Sequence, residues 1–265
     1  MIDCIDTHCH LGDPAFAEDR VDVMARMRTA GVGRALVIES ELARLDTTRG
    51  WLAHHPELAL ATGCHPHDAT AWDAALRARL QGLWQGGVVG AGEMGLDYHY
   101  DHAPRAIQRR VFSEQLALAV EVGLPVIIHA READADVAAI LAEQPAARVV
   151  LHSFSSGPGL RDAGLDRGYW FSFSGMLTFK SWPDLDTPRL VRPDRLLAET
   201  DAPYLAPVPY RGRRNEPAFV VEVVRRLAEL RGIEPAEMAR ITTGNALKLF
   251  WPGHADPEPS PDGGG

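Results

Sequence analysis

The chain opens with Ile2-Asp3-Cys4-Ile5-Asp6-Thr7-His8-Cys9-His10, a short run of strand-forming residues that closes on two histidines. Residues i and i+2 of a β-strand point to the same face, so a strand ending in His8-Cys9-His10 aims both imidazoles at one place and turns Cys9 away. Seven further short apolar, often β-branched runs follow, at 34–38, 59–64, 88–93, 125–129, 148–152, 169–173 and 195–199. With residues 2–9 that makes eight expected strands. Helix-like amphipathic stretches separate most of them, at 21–30, 42–54, 71–83, 104–122, 132–142 and 219–230. Pro104 near the start and Gly123 just past the end of one stretch fit the proline and glycine asymmetry of helices. Strands alternating with helices imply a parallel sheet with crossover connections. Eight such units without a second composition block predict an α/β fold, a single (β/α)8 TIM barrel over residues 1–253. An open doubly wound sheet is the competing architecture, but no G-x-G-x-x-G follows the first strand. Residues 254–265, rich in Pro, Asp and Gly, read as a disordered tail.

Composition narrows the classes further. Of 265 residues, 46% are hydrophobic and 24% charged, which excludes collagen-like, disulfide-scaffold and wholly disordered chains. No apolar run approaches the roughly 18 residues that span a bilayer. The opening is acidic and lacks the basic region and apolar core of a signal peptide. Cys4, Cys9 and Cys64 form no CxxC and cannot all pair, which suits a reducing cytoplasm. The formal net charge of -9 disfavours nucleic-acid binding by the surface as a whole. Any phosphate site must therefore be local, built from a few arginines or bound cations.

The carboxyl ends of the expected strands carry the chemistry. Strand one ends in His8 and His10, strand four in Glu93, strand five in His129, strand six in His152, and strand eight runs into Asp201. In a barrel those ends converge on one mouth, where active sites of this fold sit. Four imidazoles and two carboxylates suit borderline divalent metals, and six ligands suit two ions rather than one open catalytic ion. Zinc, manganese, nickel and magnesium all accept such donors. His65, after strand three, is a candidate to position a phosphate, and its bland role is turn structure at Pro66. Arg131, Lys180, Arg211 and Arg213 are candidate substrate contacts, each equally readable as a solvated surface charge. His67, Asp97 and Tyr98 are candidates to orient ligands. His99 and His102 have no strand registration and receive no role. Phe154, Phe179, Trp182 and Tyr204 fall near the mouth, either to stack on bases or to pack the rim.

At this point the sequence resembles the TatD family of metal-dependent deoxyribonucleases and related hydrolases. The resemblance rests on Asp6-Thr7-His8-Cys9-His10, Gly63-Cys64-His65-Pro66-His67-Asp68, Gly92-Glu93-Met94-Gly95-Leu96-Asp97-Tyr98, Ile128-His129-Ala130-Arg131 and Leu151-His152-Ser153-Phe154-Ser155. It continues through Glu199-Thr200-Asp201-Ala202-Pro203-Tyr204 and Arg214-Asn215-Glu216-Pro217 to Thr243-Gly244-Asn245-Ala246. It implies a metal-ligand set of His8, His10, Glu93, His129, His152 and Asp201, the set the strand ends already select. Ser153 and Met94 depart from the family's commoner residues without touching a proposed ligand. The implied activity is a two-metal phosphodiesterase acting on DNA from a 3′ end. In that reading Glu93 bridges the ions and Asp201 takes the proton of the attacking water. The alternative is a related hydrolase of an ester or amide, including deacylation of mischarged tRNA. A non-catalytic metal-binding barrel is the remote third. No membrane and no obligate protein partner are expected.

Overall fold

The period-two apolar runs form eight parallel strands: β1 (Cys4–Cys9), β2 (Val32–Ile38), β3 (Leu58–Thr62), β4 (Gly90–Asp97), β5 (Val126–Arg131), β6 (Val149–Leu151), β7 (Trp170–Phe173) and β8 (Leu196–Ala198). In this computed structural model, which describes residues 3–253, the strands neighbour one another strictly in chain order. The tail expected over 254–265 lies outside the described residues. The longer helices are α1 (Arg20–Thr29), α2 (Leu45–Leu52), α3 (Ala74–Trp84), α4 (Arg105–Val122), α5 (Asp134–Ala142) and α6 (Pro158–Arg167). After them come the single turn α7 (Thr187–Leu190), then α8 (Val220–Arg231) and α9 (Pro235–Phe250). The architecture is the expected (β/α)8 barrel, with helix α4 entered through Pro104 and left through Gly123 in the left-handed region.

Two apolar layers follow from strand alternation. Outward residues such as Ala35, Val37, Val126, Ile128, Val149 and Leu151 pack against the helices. Inward residues Ile5, Leu36, Ile38, Ala61, Ile127, Val150 and Leu197 fill the barrel, together with Ala246, Leu249, Phe250 and Trp251 from the end of α9. Phe250 lies close to the start of β4, where a Cβ on Gly90 would sit 3.5 Å from its ring. The end of α9 thus plugs the face opposite the mouth. The β8–β1 seam closes without a regular ladder. Asp201 N donates to His8 O (2.9 Å), His10 N donates to Ala202 O (2.7 Å), and the buried Asp6 carboxylate accepts from Thr200 N and Oγ1 (2.9 and 2.6 Å). Burial pushes the Asp6 carboxyl up to about 8 against the hydrogen bonds from Thr200 and His8 that favour its ionised form.

Three details differ from the sequence expectation. Strand β4 does not stop at Glu93 but runs on to Asp97, with its register against β5 shifted between Ala91 and Met94. Gly92 and Gly95 allow close approach to the backbone of β5. A Cβ on Gly95 (φ 143°) would lie 2.0 Å from His129 O. Helix α6 escapes the periodicity because Gly159 and Gly164 interrupt it, and α9 because Thr242, Thr243 and Gly244 are poor helix formers.

Phe250 gives a direct test of the plug. Phe250→Ala is expected to lower stability by roughly 3–5 kcal/mol, read as a lower urea midpoint, while metal binding per folded molecule is retained.

Candidate metal centre

The inward row of each strand leads from the barrel core into the mouth. Ile127 is followed two residues on by His129, Val150 by His152 and Leu197 by Glu199. Strict alternation from Ile5 would turn Thr7 and Cys9 inward. The register irregularity between Asp6 and Cys9 changes the parity, so His8 and His10 face the mouth instead. Cys9 packs with the outer layer and its Sγ approaches Leu36 O (3.6 Å).

The structure brings His8, His10, Glu93, His129, His152 and Asp201 to one cavity of about 580 Å³ or directly beneath it. His8 Nε2 lies 3.3 Å from His10 Nε2, 3.7 Å from Asp201 Oδ1 and 3.6 Å from Glu93 Oε2; His10 Nε2 is 3.3 Å from Asp201 Oδ1. The other Glu93 oxygen, Oε1, meets His129 Nδ1 and His152 Nε2, each at 2.8 Å, and His65 Nε2 at 3.8 Å. Three overlapping groups each bring one ligand-type atom per residue within 4.8 Å of one another: His8, His10 and Asp201; His8, Glu93 and His152; His65, Glu93 and His129.

Hydrogen bonds behind the rings test the fit. His10 Nδ1 faces the Ile38 carbonyl (3.2 Å), and His152 Nδ1 faces the Glu199 carboxylate (3.1 Å). Both acceptors require a proton on Nδ1, leaving the Nε2 lone pair turned towards the centre, as metal-ligating histidines require. His65 is arranged the other way. Its Nδ1 accepts from His67 N (3.2 Å), so the neutral ring carries its proton on Nε2 and presents a donor to the mouth. His129 is clamped between Glu93 and Asp97, whose Oδ2 also meets His67 Nε2 (3.0 Å).

Electrostatics follow from burial against charge. Burial pushes His65 down to about 3 and lowers His8. Burial also presses on His10, His129 and His152, but carboxylates outweigh it and hold all three above the ordinary histidine value. Asp201 does so for His10, Asp97 and Glu93 for His129, and Glu93 and Glu199 for His152. Burial would raise the carboxyls, yet the imidazoles hold Glu93 well below the usual range, and His10 foremost keeps Asp201 low. At Asp97 burial is likewise outweighed, by hydrogen bonds from His129, Tyr100 N and His67 together.

The remaining candidates separate. Arg131 lines the mouth, its guanidinium 4.8 Å above the Tyr100 ring. Lys180, Arg211 and Arg213 stand outside the cavity lining, with Arg211 stacked on Phe179 at 3.7 Å. Tyr98 turns away to donate to Asp136 (2.5 Å). Phe154 is buried against Phe171 and Phe173, so it packs the core rather than the rim. Three lining or supporting groups carry no sequence expectation: Glu199, Tyr100, and Arg44 held by the buried Glu39 (3.2 Å). Only Glu199 left a signal, as the inward residue that continues Leu197.

A (β/α)8 barrel with imidazoles and carboxylates gathered at the carboxyl ends of its strands has the architecture of a metal-dependent hydrolase. The family model for TatD-related DNases matches residues 5–251. The chain belongs to the TatD family of metal-dependent hydrolases. It is 38% identical over 255 residues to the uncharacterized metal-dependent hydrolase YabD of Bacillus subtilis, covering 92% of this chain and 98% of that one. It is 34% identical over 258 residues to the 3′-5′ ssDNA/RNA exonuclease TatD of Cronobacter sakazakii, covering 92% and 97%. Among solved structures it resembles YJJV, a TatD homologue from Escherichia coli K12, with a TM-score of 0.88 and 30% identity over 94% of this chain and 99% of that one.

Glu199 would act on a bound metal only through His152. Glu199→Gln is therefore expected to weaken metal binding about 10- to 100-fold in a calorimetric titration with manganese or zinc, with the fold retained.

Proposed function

We propose that the chain is a two-metal phosphodiesterase that shortens single-stranded DNA from its 3′ end. The observation that carries this reading is the division of the Glu93 carboxylate: Oε2 faces His8, while Oε1 faces His129 and His152. A carboxylate so placed can serve two neighbouring cations. His8, His10 and Asp201 would hold one, and His129 and His152 the other. Divalent ions bound there supply Lewis acidity towards water and phosphoryl oxygens, and local positive charge in an acidic protein. The related exonuclease of Cronobacter sakazakii supports the substrate class and the polarity.

The chain's own residues divide the remaining work. Asp201, its side chain 15% exposed against 5% for Glu93, faces the cavity and is kept ionised by its histidine neighbours. It accepts the proton of the attacking water as the new P–O bond forms, and the proton passes on to the departing 3′ oxygen as the P–O3′ bond breaks. His65 Nε2–H donates to a non-bridging oxygen. Arg131 holds the backbone at the mouth as a charge-assisted donor.

End-labelled single-stranded DNA with magnesium or manganese tests the reading. A ladder shortening from the 3′ end, abolished by a chelator, is expected. Asp201→Asn is expected to lower kcat at least about 100-fold without moving the unfolding midpoint. Intact DNA in the presence of bound metal would overturn it in favour of ester or amide hydrolysis, with aminoacyl-tRNA the next substrate to try.

A further inference from the structure

Of the phenylalanine, tyrosine and tryptophan side chains among the described residues, two are exposed, and both line the mouth: Tyr100 at 50% and Tyr204 at 55%. Every other phenylalanine, tyrosine and tryptophan is buried or half-buried. A single exposed ring is ordinary on a protein surface, but these two stand at the mouth of one cavity.

Their placement is matched on the two sides. Tyr100 follows β4 and Tyr204 follows β8, strands four apart in an eight-stranded barrel and therefore across the mouth from each other. Each stands three residues beyond a carboxylate of the centre, with its amide tied back to that residue. Tyr100 N donates to Asp97 Oδ1 (2.9 Å), and Tyr204 N donates to Asp201 O (2.9 Å). Asp97 at the same time grips His67 and His129 through Oδ2, so the Tyr100 loop is registered to the centre by one buried carboxylate. The fully buried Asn215 does the equivalent for Tyr204, donating to its carbonyl oxygen (2.5 Å) and to Thr200 O (2.8 Å). Tyr204 meets His10 edge-on at 6.1 Å, and Tyr100 lies over Arg131 with His102 parallel at 5.6 Å, leaving half its surface open.

We propose that Tyr100 and Tyr204 form a two-sided stacking clamp for unpaired bases, one on each side of the scissile phosphate. This deepens the function proposed above and rests on it. Stacking on an aromatic face tolerates every base, so the clamp selects single strands over duplexes without reading sequence. It also needs no positive charge, which fits a strand-binding mouth in a chain of net charge -9. Arg131 under Tyr100 places a phosphate donor beside one platform.

The test compares full-length wild type with Tyr100→Ala, Tyr204→Ala and the corresponding Phe variants. Two single-stranded substrates are used: an oligonucleotide with normal 3′-terminal nucleotides, and one whose last two residues carry tetrahydrofuran in place of the base and sugar. Wild type is expected to prefer the base-bearing strand. Each Ala variant is expected to lose roughly tenfold in kcat/KM on that strand and little on the baseless one, so that the preference collapses; each Phe variant restores it. Equal losses on both substrates, or a preference that survives in the Ala variants, would overturn the clamp while leaving the nuclease function standing. Wild type that degrades neither strand would instead remove the nuclease function, and the clamp with it.

Discussion

The interaction on which this structure depends is the placement of one carboxylate, that of Glu93, inside an apolar barrel. Removing such a charge from water costs several kcal/mol even after relaxation. Imidazoles from β1, β5 and β6 surround the carboxylate and make that burial tolerable. His129 and His152 come from the strands that follow β4 in the sheet and His8 from β1, so the compensation of one charge ties these strands together. Protons on His129 and His152 can meet that demand, and so can cations. The exchange of one for the other is what couples metal binding to pH in sites of this kind.

A second consequence is the separation of stability from chemistry along the barrel axis. At one end the apolar side chains of α9 fill the space between inward strand residues. At the other, the same inward rows give way to histidines and acids whose orientation depends on groups one step further out. Ile38 O and the Glu199 carboxylate set the tautomers of His10 and His152. His67 N sets that of His65 in the opposite sense, which turns His65 from a ligand into a donor. Neighbouring imidazoles thus acquire different chemical roles through single backbone or carboxylate contacts.

The fold was legible in the sequence because it follows from period-two alternation, and the gathering of the six ionisable residues because each falls at or near the carboxyl end of a strand, although His8 and His10 reach the mouth only through the register irregularity between Asp6 and Cys9. His129 and His152 keep their places near the carboxyl ends of β5 and β6 whatever the helices outside do, although β5 runs on to Arg131. The position of Glu93 within β4 was not legible, since the shifted register between Ala91 and Met94 depends on how β4 meets β5 and not on local propensity. Phe154 shows the opposite failure: sequence position put it near the mouth, and packing against Phe171 and Phe173 turned it into the core. Glu199 and Tyr100 went unread for a third reason. Their roles lie in what they touch, His152 in one case and open solvent above the centre in the other, and a sequence does not carry contacts.

The acidic net charge sets the terms for any nucleic-acid substrate. A protein that bound DNA through a basic surface would lose affinity steeply with salt, because each neutralised phosphate releases counterions. Among the described arginines outside the mouth, many are already committed: Arg26 and Arg214 to Asp19, Arg105 to Asp101, Arg109 to Asp136. Inside it, positive charge would come from cations bound by Glu93, Asp201 and the histidines, concentrated where bonds are made and broken. Such a surface attracts no strand along its length and so favours a chain end that can enter the cavity. On the function proposed above, charge confined to the mouth and aromatic rings at its lips would belong to one arrangement, in which shape and stacking select the strand and the centre acts on the single phosphate that reaches it.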